Sequence, residues 1–445
     1  MDQSTAPPLP NGLPDTARMN PAKLVQNDHV HRDVYTSQAI FDLEMARIFG
    51  RAWVYLAHES QVRDPGQFVT GHIGTQGVIV SRARDGDVKV IFNRCTHRGA
   101  TLCALAKGQT KSGLQCPYHG WLFDYDGTLK SVPYAGNYEG ALDQKQYNIR
   151  QVPRVEVYRG FIFANLDPDA PPLTEFLGHM ATSIDDMVDR APEGEVEASP
   201  YVLRHFYRAN WKMTFENLND VIHPGFAHAA SVISAKAVAE QVGGKENLVP
   251  TLGMMMANGK PISFFQNSNM VTVPGGHSYI GGHMGADYSK LTRDAYFDKL
   301  VALHGEEKAQ AVLARDRHLM LLYPSSTWHA RYQTVRIVRP VRPDLTEVIG
   351  FVFKLKGAPE ETFVNAIEYC NGANSAASPV IADDLEIYER CHAGNLYGDQ
   401  EWIPMSRGLF ENRDGFGDAH VSPATSEAYI RNQFAAWADY MGRPV

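Results

Sequence analysis

Positive charge and long apolar stretches are both scarce in this sequence. Its 445 residues include 42 Lys and Arg against 50 Asp and Glu, which gives a formal net charge of −8. A protein that binds nucleic acid through its phosphates needs a basic surface, and this charge balance does not indicate one. No apolar run approaches the roughly 20 residues that a membrane-spanning helix requires. The composition therefore favours a globular protein with neither nucleic acid nor a membrane as its partner.

Cysteine is scarce as well. The five cysteines are odd in number and irregularly spaced, so they do not indicate a disulfide framework. We expect Cys103, Cys370 and Cys391 to be buried thiols without chemistry, because free cysteine is commonly buried.

The first residues, MDQSTAPPLPNGLPDTARMN, lack the basic start and the apolar stretch of a secretory signal. These features predict a flexible, proline-rich arm over residues 1–30 and a cytoplasmic protein.

The length of the chain predicts two domains, because one hydrophobic core rarely serves more than about 250–300 residues. Apolar residues at helical spacing between Ile40 and Phe49 predict a helix in a lead-in segment, residues 31–53, that belongs to the second domain. Short β-rich pieces separated by Gly and Asp turns then predict a small all-β domain over residues 54–165. Helical and β patterns mix in residues 166–445, beginning with a Pro-rich linker. The expected fold class is α+β.

Individual elements follow from the same periodicities. In the small domain we expect strands at residues 77–81, 88–92 and 160–164. In the larger domain we expect helices at residues 173–190, 211–221, 296–319 and 379–393, and strands at residues 333–339 and 347–354.

Two short segments each combine one cysteine with one histidine: CTHRG at residues 95–99 and CPYHGW at residues 116–121. A Rieske [2Fe–2S] cluster binds one iron through two thiolates and the other through two imidazoles. Cys95, His97, Cys116 and His119 supply this ligand set. The alternative is a structural zinc site, since two Cys and two His also make a tetrahedral set. Zinc sites usually pair Cys with Cys and His with His, so the mixed segments favour the Rieske cluster.

A second metal site is indicated by His223 and His228. On an unbroken helix a spacing of five residues turns two side chains about 140° apart, too far to share a ligand. Pro224 and Gly225 lie between them, however, and can break the helix and bring the imidazoles together. Two imidazoles, one carboxylate and open positions make a non-haem iron(II) oxygenase site. The alternative is a pair of structural histidines.

The missing carboxylate is predicted to come from a helix near residue 384. Ile381, Leu385 and Tyr388 form an apolar stripe, and Asp384 falls inside it. A carboxylate on a buried face is costly unless a cation or hydrogen bonds meet it. Asp384 is therefore the expected iron ligand, although a buried salt bridge to an arginine would also explain it. Asp383 points to roughly the opposite side and is expected to face solvent.

These motifs together resemble the large (α) subunit of Rieske non-haem iron aromatic-ring-hydroxylating oxygenases. The resemblance extends from about residue 30 to near the C-terminus. Besides the two Cys/His segments, it rests on NWK at residues 210–212, Glu216 with Asn217, Asp220 with His223 and His228, the pair Asp383 and Asp384, LYPS at residues 322–325 and RIVRP at residues 336–340.

The resemblance implies a small all-β Rieske domain beside a larger catalytic domain, whose central antiparallel sheet is flanked by helices. It implies a mononuclear Fe(II) held by His223, His228 and Asp384, because the second of the paired Asp is the family's usual third ligand. It also implies a trimeric core, either of α subunits alone or of α with a small β subunit.

The activity implied is hydroxylation of an aromatic compound with O2, as a ring dihydroxylation. Electrons from NADH would reach the cluster through a reductase, with or without a ferredoxin. Asp220 and Asn217 are the expected catalytic residues. Asp220 lies three residues before His223 and could hold its imidazole, and the resemblance has it bridge to a cluster histidine of the neighbouring subunit. The alternative for Asp220 is a carboxylate on the helix surface.

Three rival functions remain open at this stage. A monooxygenase or N- or O-demethylase of the same architecture would use the same metals. A Rieske electron carrier without catalysis would not need the second metal set. A zinc-dependent binding module would have no redox role. The substrate cannot be read from the sequence.

Overall fold

The computed structural model of the chain describes residues 20–138, 140–244, 249–281, 294–315 and 317–443. Most of the expected N-terminal arm, residues 1–19, lies outside these ranges. Across the described ranges, each helix is too short or too polar to traverse a lipid bilayer.

Strand β1 (His29–His31) begins in the last residues of the expected arm and ends at the start of the lead-in segment. The lead-in segment continues with helices α1 (Asp33–Thr36) and α2 (Gln38–Arg47). Ser37 caps α2, because its Oγ accepts a hydrogen bond from the Ile40 N–H at 3.4 Å. The predicted helix in this segment is therefore confirmed, with its start three residues before Phe41.

The small domain is built from ten short strands of the described chain. They are β2 (Val54–His58), β3 (Gln67–Ile73), β4 (Gln76–Arg82), β5 (Val88–Phe92), β6 (Lys107–Gln109), β7 (Leu114–Gln115), β8 (Leu122–Phe123), β9 (Leu129–Ser131), β10 (Arg154–Tyr158) and β11 (Phe161–Asn165). They pair in three antiparallel sheets, in the orders β5-β4-β3-β6, β7-β8-β9 and β10-β11-β2. The strands predicted at residues 77–81, 88–92 and 160–164 are confirmed as β4, β5 and β11.

The larger part of the chain mixes helices and strands, as expected. Its elements are α3 (Leu173–Leu177), α4 (Ala181–Val188), β12 (Val196–Tyr207), α5 (Lys212–Leu218), α6 (Pro224–Ala227), α7 (Ala229–Gln241), α8 (Pro250–Asn258), α9 (Ile262–Gln266), β13 (Asn269–Val273), β14 (His277–Gly281), α10 (Ala295–His304), α11 (Glu306–Ala314), β15 (Arg317–Leu322), β16 (Ser326–His329), β17 (Thr334–Arg342), β18 (Leu345–Leu355), α12 (Glu360–Tyr369), α13 (Ile381–Asn395), β19 (Trp402–Pro404), β20 (Arg413–Phe416), β21 (Ala419–Pro423) and α14 (Ala428–Gly442).

A nine-stranded antiparallel sheet forms the centre of this part, in the order β12-β18-β17-β16-β15-β14-β13-β21-β20. Successive side chains of a strand point to opposite faces. On one face Val348 of β18 packs with Tyr388 of α13. On the other, Ile349 and Phe351 line a cavity of about 910 Å³ that is shared with β3 of the small domain. The central antiparallel sheet flanked by helices is the expected α+β architecture.

A buried carboxylate ties α2 to two helices of the larger part. The Glu44 Oε1 atom accepts hydrogen bonds from Lys212 Nζ at 2.5 Å and from Trp437 Nε1 at 2.7 Å, and its Oε2 accepts one from Trp211 Nε1 at 2.9 Å. All four side chains are fully or almost fully buried. Because each polar atom has a partner, the arrangement fixes the start of α5 relative to α2 and α14.

One predicted helix is too long. The segment at residues 296–319 was expected to be helical throughout, but the structure has α10, α11 and then strand β15 from Arg317. An apolar run, LMLLY at residues 319–323, begins at the end of that segment. Periodicity alone does not separate a buried strand from a buried helix in such a run.

Candidate metal centres

The two Cys/His segments form matching loops. The Gly99 N–H donates to the Cys95 carbonyl at 2.9 Å, and the Gly120 N–H donates to the Cys116 carbonyl at 3.1 Å. Both glycines have positive φ, 76° and 70°, a conformation that is costly for residues with a Cβ. Each loop therefore presents its cysteine and its histidine from one tight turn.

The imidazoles of these loops lie side by side. The ring centroids of His97 and His119 are 4.7 Å apart, and His97 stacks on Trp121 at 4.7 Å with an interplanar angle of 6°. The Nδ1 atoms of both histidines are buried, and neither has a hydrogen-bond partner in the described chain. A buried nitrogen without a partner is costly, and a metal bond would satisfy it.

The thiols fit the same interpretation. Cys95 and Cys116 are both buried, in a cluster of apolar side chains that includes Trp121. Burial raises the pKa of the Cys95 thiol, so the thiolate needs a nearby positive charge such as a metal. Two thiols and two free Nδ1 atoms are the donor set of a Rieske cluster, and the loops fit that group.

A second group of donors comes from the two ends of α6 and from α13. Ligand atoms of His223, His228 and Asp384 all lie within 4.8 Å of one another. The Asp384 Oδ1 atom is 3.5 Å from His223 Nε2 and 3.3 Å from His228 Nε2. Burial would raise the pKa of Asp384, but the two imidazoles outweigh this and lower it to about 2. Two imidazoles and one ionised carboxylate that converge on one position match the ligand set of a non-haem iron(II) site.

The chain break between the histidines differs from the prediction in its position. Helix α5 already ends at Leu218, and His223 directly precedes the short helix α6. The sequence pattern had predicted a helix to residue 221 and a break at Pro224 and Gly225. The two imidazoles nevertheless come together as expected, with ring centroids 5.3 Å apart.

Asp383 does not simply face solvent, and that expectation is wrong. Its side chain is 40% exposed, yet Asp383 Oδ2 lies 3.2 Å from His228 Nδ1. Neighbouring residues on a helix are about 100° apart, so His228 can reach the carboxylates of both Asp383 and Asp384. With its Nδ1–H donated to Asp383, His228 keeps the Nε2 lone pair for a metal.

Asp220 has a different set of contacts from those expected. Its Oδ1 accepts hydrogen bonds from the backbone N–H groups of Ile222 at 2.5 Å and His223 at 3.1 Å. The distance from Asp220 Oδ1 to His223 Nδ1 is 3.9 Å, which is too long for a hydrogen bond. The other oxygen, Oδ2, accepts from Arg407 Nη2 at 2.9 Å. Asp220 thus fixes the backbone that carries His223, and Arg407 holds Asp220.

Asn217 contacts the three-residue group, and Glu216 precedes it in α5. Asn217 Nδ2 donates to Asp384 Oδ1 at 3.2 Å. Glu216 is enclosed, with its Oε2 accepting from Tyr35 Oη at 3.1 Å. Burial raises the pKa of Glu216 to about 8, although the Tyr35 hydroxyl and Lys212 oppose this. At neutral pH this carboxyl group is therefore mostly neutral, one position before Asn217 in α5.

The structure brings together every predicted site residue of the two groups. Sequence reasoning missed Arg407, which is 187 positions from Asp220 and has no local motif. It also missed the contact of Asp383 with His228.

Among the other cysteines, Cys370 is buried, Cys103 is partly buried and Cys391 is exposed, so the expectation of burial is wrong for Cys391.

Comparison with known families gives two matches that cover most of the chain. Residues 52–154 match the Rieske [2Fe-2S] domain. Residues 174–441 match the family described as ring hydroxylating alpha subunit (catalytic domain).

Individual proteins resemble the chain over most of its length. It is 32% identical over 411 residues to the 2-halobenzoate 1,2-dioxygenase large subunit of Burkholderia cepacia, covering 89% of this chain and 84% of that protein. It is 32% identical over 392 residues to the N,N-dimethyl phenylurea N-demethylase subunit alpha of Sphingobium sp. (strain YBL2), covering 85% and 82%. The structure of naphthalene 1,2-dioxygenase from Rhodococcus sp. bound to indole superimposes with a TM-score of 0.77 and 24% identity, covering 98% of this chain and 99% of that one.

Proposed function

Because the chain belongs to the family of ring-hydroxylating oxygenase α subunits, we propose that it is the terminal oxygenase component that dihydroxylates an aromatic ring. The observation that carries this proposal is the group of His223, His228 and Asp384, whose ligand atoms lie within 4.8 Å of one another. A Rieske domain alone would suit an electron carrier, which has no use for a second metal site.

We propose that Cys95, Cys116, His97 and His119 hold the [2Fe–2S] cluster, and that the three-residue group holds Fe(II). When bound, the cluster supplies single electrons and the iron supplies an open position for O2. The protein's own contribution is to orient the ligands. Asp383 accepts the Nδ1–H of His228, and Asn217 donates to Asp384. Zinc in the cysteine loops would leave the protein colourless and without acid-labile sulfide, so a visible spectrum with iron and sulfide counts tests this assignment.

We propose that the electrons come from NADH through a reductase, with or without a ferredoxin, and that the working oligomer is α3 or α3β3. In such a trimer Asp220 would connect the two metal centres of neighbouring subunits. The support is that Asp220 is 18% exposed and so can be reached by another chain. We further propose domain boundaries at residues 54–165 and 166–445, with residues 31–53 packed on the catalytic domain through Glu44.

A second candidate is demethylation by monooxygenation, and one comparison favours it. The N-demethylase relative is as similar in identity, at 32%, as the halobenzoate dioxygenase. We favour dioxygenation because the relative with the longer matched region is named a dioxygenase.

The test is product analysis under ¹⁸O2 with a reductase, NADH and a set of arenes and N-methyl arenes. Ring products that carry two labelled oxygen atoms support dioxygenation. O2-dependent release of formaldehyde, with the amine that has lost its methyl group as the other product, would assign the demethylase function instead. If no substrate is oxidised in an O2-dependent way by protein that holds both metals, the oxygenase proposal is wrong.

A further inference from the structure

The cavity of about 910 Å³ between the small domain and the central sheet has an excess of positive charge. Four basic residues line it, Arg63, Lys107, Arg204 and Arg339. In the described chain, no Asp or Glu is among the residues that line it. Its volume is in the range of small-molecule sites, which occur preferentially at domain interfaces. The cavity is therefore suited to an anionic ligand.

Two of these cations, Arg204 of β12 and Arg339 of β17, share a single carboxylate. Arg204 Nε and Arg339 Nη1 both donate to Glu347 of β18, the latter at 2.7 Å. Among the described residues, no second carboxylate lies within 4.0 Å of either guanidinium. Arg339 Nε is buried and has no hydrogen-bond partner in the described chain. Two positive charges and one negative charge thus leave one positive charge without a counter-ion.

Two neutral polar groups lie at the same end of the cavity. Ser325 is 1% exposed, and its Oγ has no hydrogen-bond partner in the described chain. The Val338 N–H donates to the Ser325 carbonyl at 2.8 Å, which places Ser325 beside the strand position of Arg339. Burial, and then the nearby Arg339, lower the pKa of His72 of β3 to about 4, so this imidazole is neutral at pH 7. A ligand with acceptor oxygens would satisfy these groups.

The register of the sheet places an apolar surface next to this end. Val202 of β12 lies opposite Phe351 of β18, and Ile337 of β17 lies opposite Ile349 of β18. All four side chains line the cavity. Two residues along a strand span about 7 Å, so the apolar surface begins within that distance of Arg204. The cavity therefore combines a cationic end with an apolar wall.

We infer that this cavity binds an alkyl carboxylate, with the carboxylate at Arg204 and Arg339 and the alkyl chain over Val202, Ile349 and Phe351. A guanidinium forms charge-assisted hydrogen bonds to a carboxylate. Burial of the chain against the apolar wall adds to the affinity. A small inorganic anion would leave that wall in contact with water, and a neutral alcohol would leave the positive charge unmatched. The site is separate from both metal centres, since none of the proposed metal ligands lines the cavity.

The cavity also reaches the segment that follows the first cluster loop. Thr101 and Cys103 line it, a few residues after the CTHRG segment. Asn93, which precedes that segment, accepts a hydrogen bond from the Cys103 N–H at 2.8 Å and donates one to the Cys103 carbonyl at 2.7 Å. A ligand that fills the cavity contacts both this segment and the central sheet, so it stabilises one arrangement of the two domains.

The first test compares ligands on the wild-type, metal-loaded protein. Titration calorimetry without O2 or reductant measures the binding of butanoate, hexanoate, octanoate and 1-octanol at neutral pH. Octanoate is expected to bind roughly 10-fold more tightly than 1-octanol, because only the acid is charged. Affinity within the acid series should rise roughly two- to fourfold for each buried CH2 group. Equal affinity for octanoate and 1-octanol, or affinity that does not change with chain length, overturns the inference.

Variants of Arg204 then assign the charge effect. Arg204→Gln should weaken octanoate binding roughly 10-fold and leave 1-octanol binding within about threefold. The substitution is compatible with folding, because Arg204 is 55% exposed and Glu347 keeps its contact with Arg339. Arg208→Gln is the matched control, since Arg208 directly follows β12 but pairs with Glu389 at the surface and does not line the cavity. It should bind both ligands as the wild type does.

Two further measurements locate the bound acid. Asp384→Ala lacks a proposed iron ligand and should bind octanoate as the wild type does. Octanoate should also slow amide hydrogen exchange in residues 67–73 and 198–204, which form opposite walls of the cavity. Loss of octanoate binding in Asp384→Ala would place the acid on the iron. That result, unchanged octanoate affinity in Arg204→Gln, or exchange unaffected in both walls would each overturn the inference.

Discussion

His228 lies between the two neighbouring carboxylates of α13, with Nδ1 3.2 Å from Asp383 and Nε2 3.3 Å from Asp384. One imidazole thus contacts both members of the Asp pair, each through a different nitrogen. This relationship divides the pair by role: Asp384 is placed to bind a metal together with Nε2, and Asp383 to hold the ring in the tautomer that permits it.

The first prediction is that Asp383→Ala weakens iron binding without abolishing it. Loss of an outer carboxylate typically costs 10- to 100-fold in metal affinity or activity. Iron retained after dialysis against a graded series of chelator concentrations measures the affinity. Glu386→Ala, on the same helix in an exposed pair with Arg390, is the control and should retain wild-type affinity. An unchanged affinity in Asp383→Ala would show that the contact with His228 has no effect on the metal.

The second prediction concerns Asp384→Ala. Removal of one of three protein ligands should abolish stable binding of the mononuclear iron and all oxygenation. The cluster spectrum should persist, because the cysteine loops belong to a different part of the fold. Iron analysis should therefore show the loss of one iron per chain, with two retained. A loss of the cluster in the same variant would argue against two independent sites.

The third prediction concerns Asp220 as a positioning residue. Asp220→Asn keeps the shape but weakens the pairing with Arg407 and the proposed contact with a neighbouring cluster. Both iron sites should stay largely occupied and the cluster should still be reduced by its partner protein, while product formation falls at least tenfold. Arg407→Gln should reduce turnover less, because the two backbone N–H groups still hold Asp220. The rate of cluster oxidation in a single turnover distinguishes this role from a purely structural one.

The fourth prediction uses the buried carboxyl of Glu216. Its pKa is about 8 in the folded protein, raised by burial above the ordinary 4.5. A raised pKa means that its contribution to stability is complete below pH 4.5 and is lost as the pH rises towards 8. Glu216→Gln cannot ionise, so the wild type should lose stability relative to this variant between pH 5 and 8, by about 3 kcal/mol. Chemical denaturation across this pH range measures the difference, and parallel pH profiles would contradict the buried neutral state.

The features that could be predicted from the sequence are those whose residues lie close together in the chain or within one helix or strand. The cluster loops and the pair His223 and His228 were identified from residue types at short spacings, and Asp384 from its place in the apolar stripe of a helix. The structure brings each group together. Strand and helix types were predicted where the periodicity was clear, as in β4, β5 and α13. Residues 317–319 were misassigned because they lead into the apolar run at residues 319–323, which fits a buried strand as well as a helix.

Contacts between distant segments could not be predicted in this way. Arg407 has no motif of its own, and only the folded chain brings it to Asp220. Asp383 was assigned to solvent from the helical phase alone, since the position of His228 over the edge of α13 depends on how α5 and α6 connect.

The most direct test of the account is a single turnover that starts from the reduced protein. The cluster is reduced chemically and the reductant is removed. Its visible spectrum is then followed after O2 and an arene that the product analysis shows to be oxidised are added together or singly. We expect rapid oxidation of the cluster, with a matching amount of oxygenated arene, only when both are present. The Asp384→Ala variant should form no product and should show no acceleration by the arene. Product formation by that variant, or cluster oxidation at the wild-type rate without substrate, would contradict the coupling of the two metal centres to one oxygenation site.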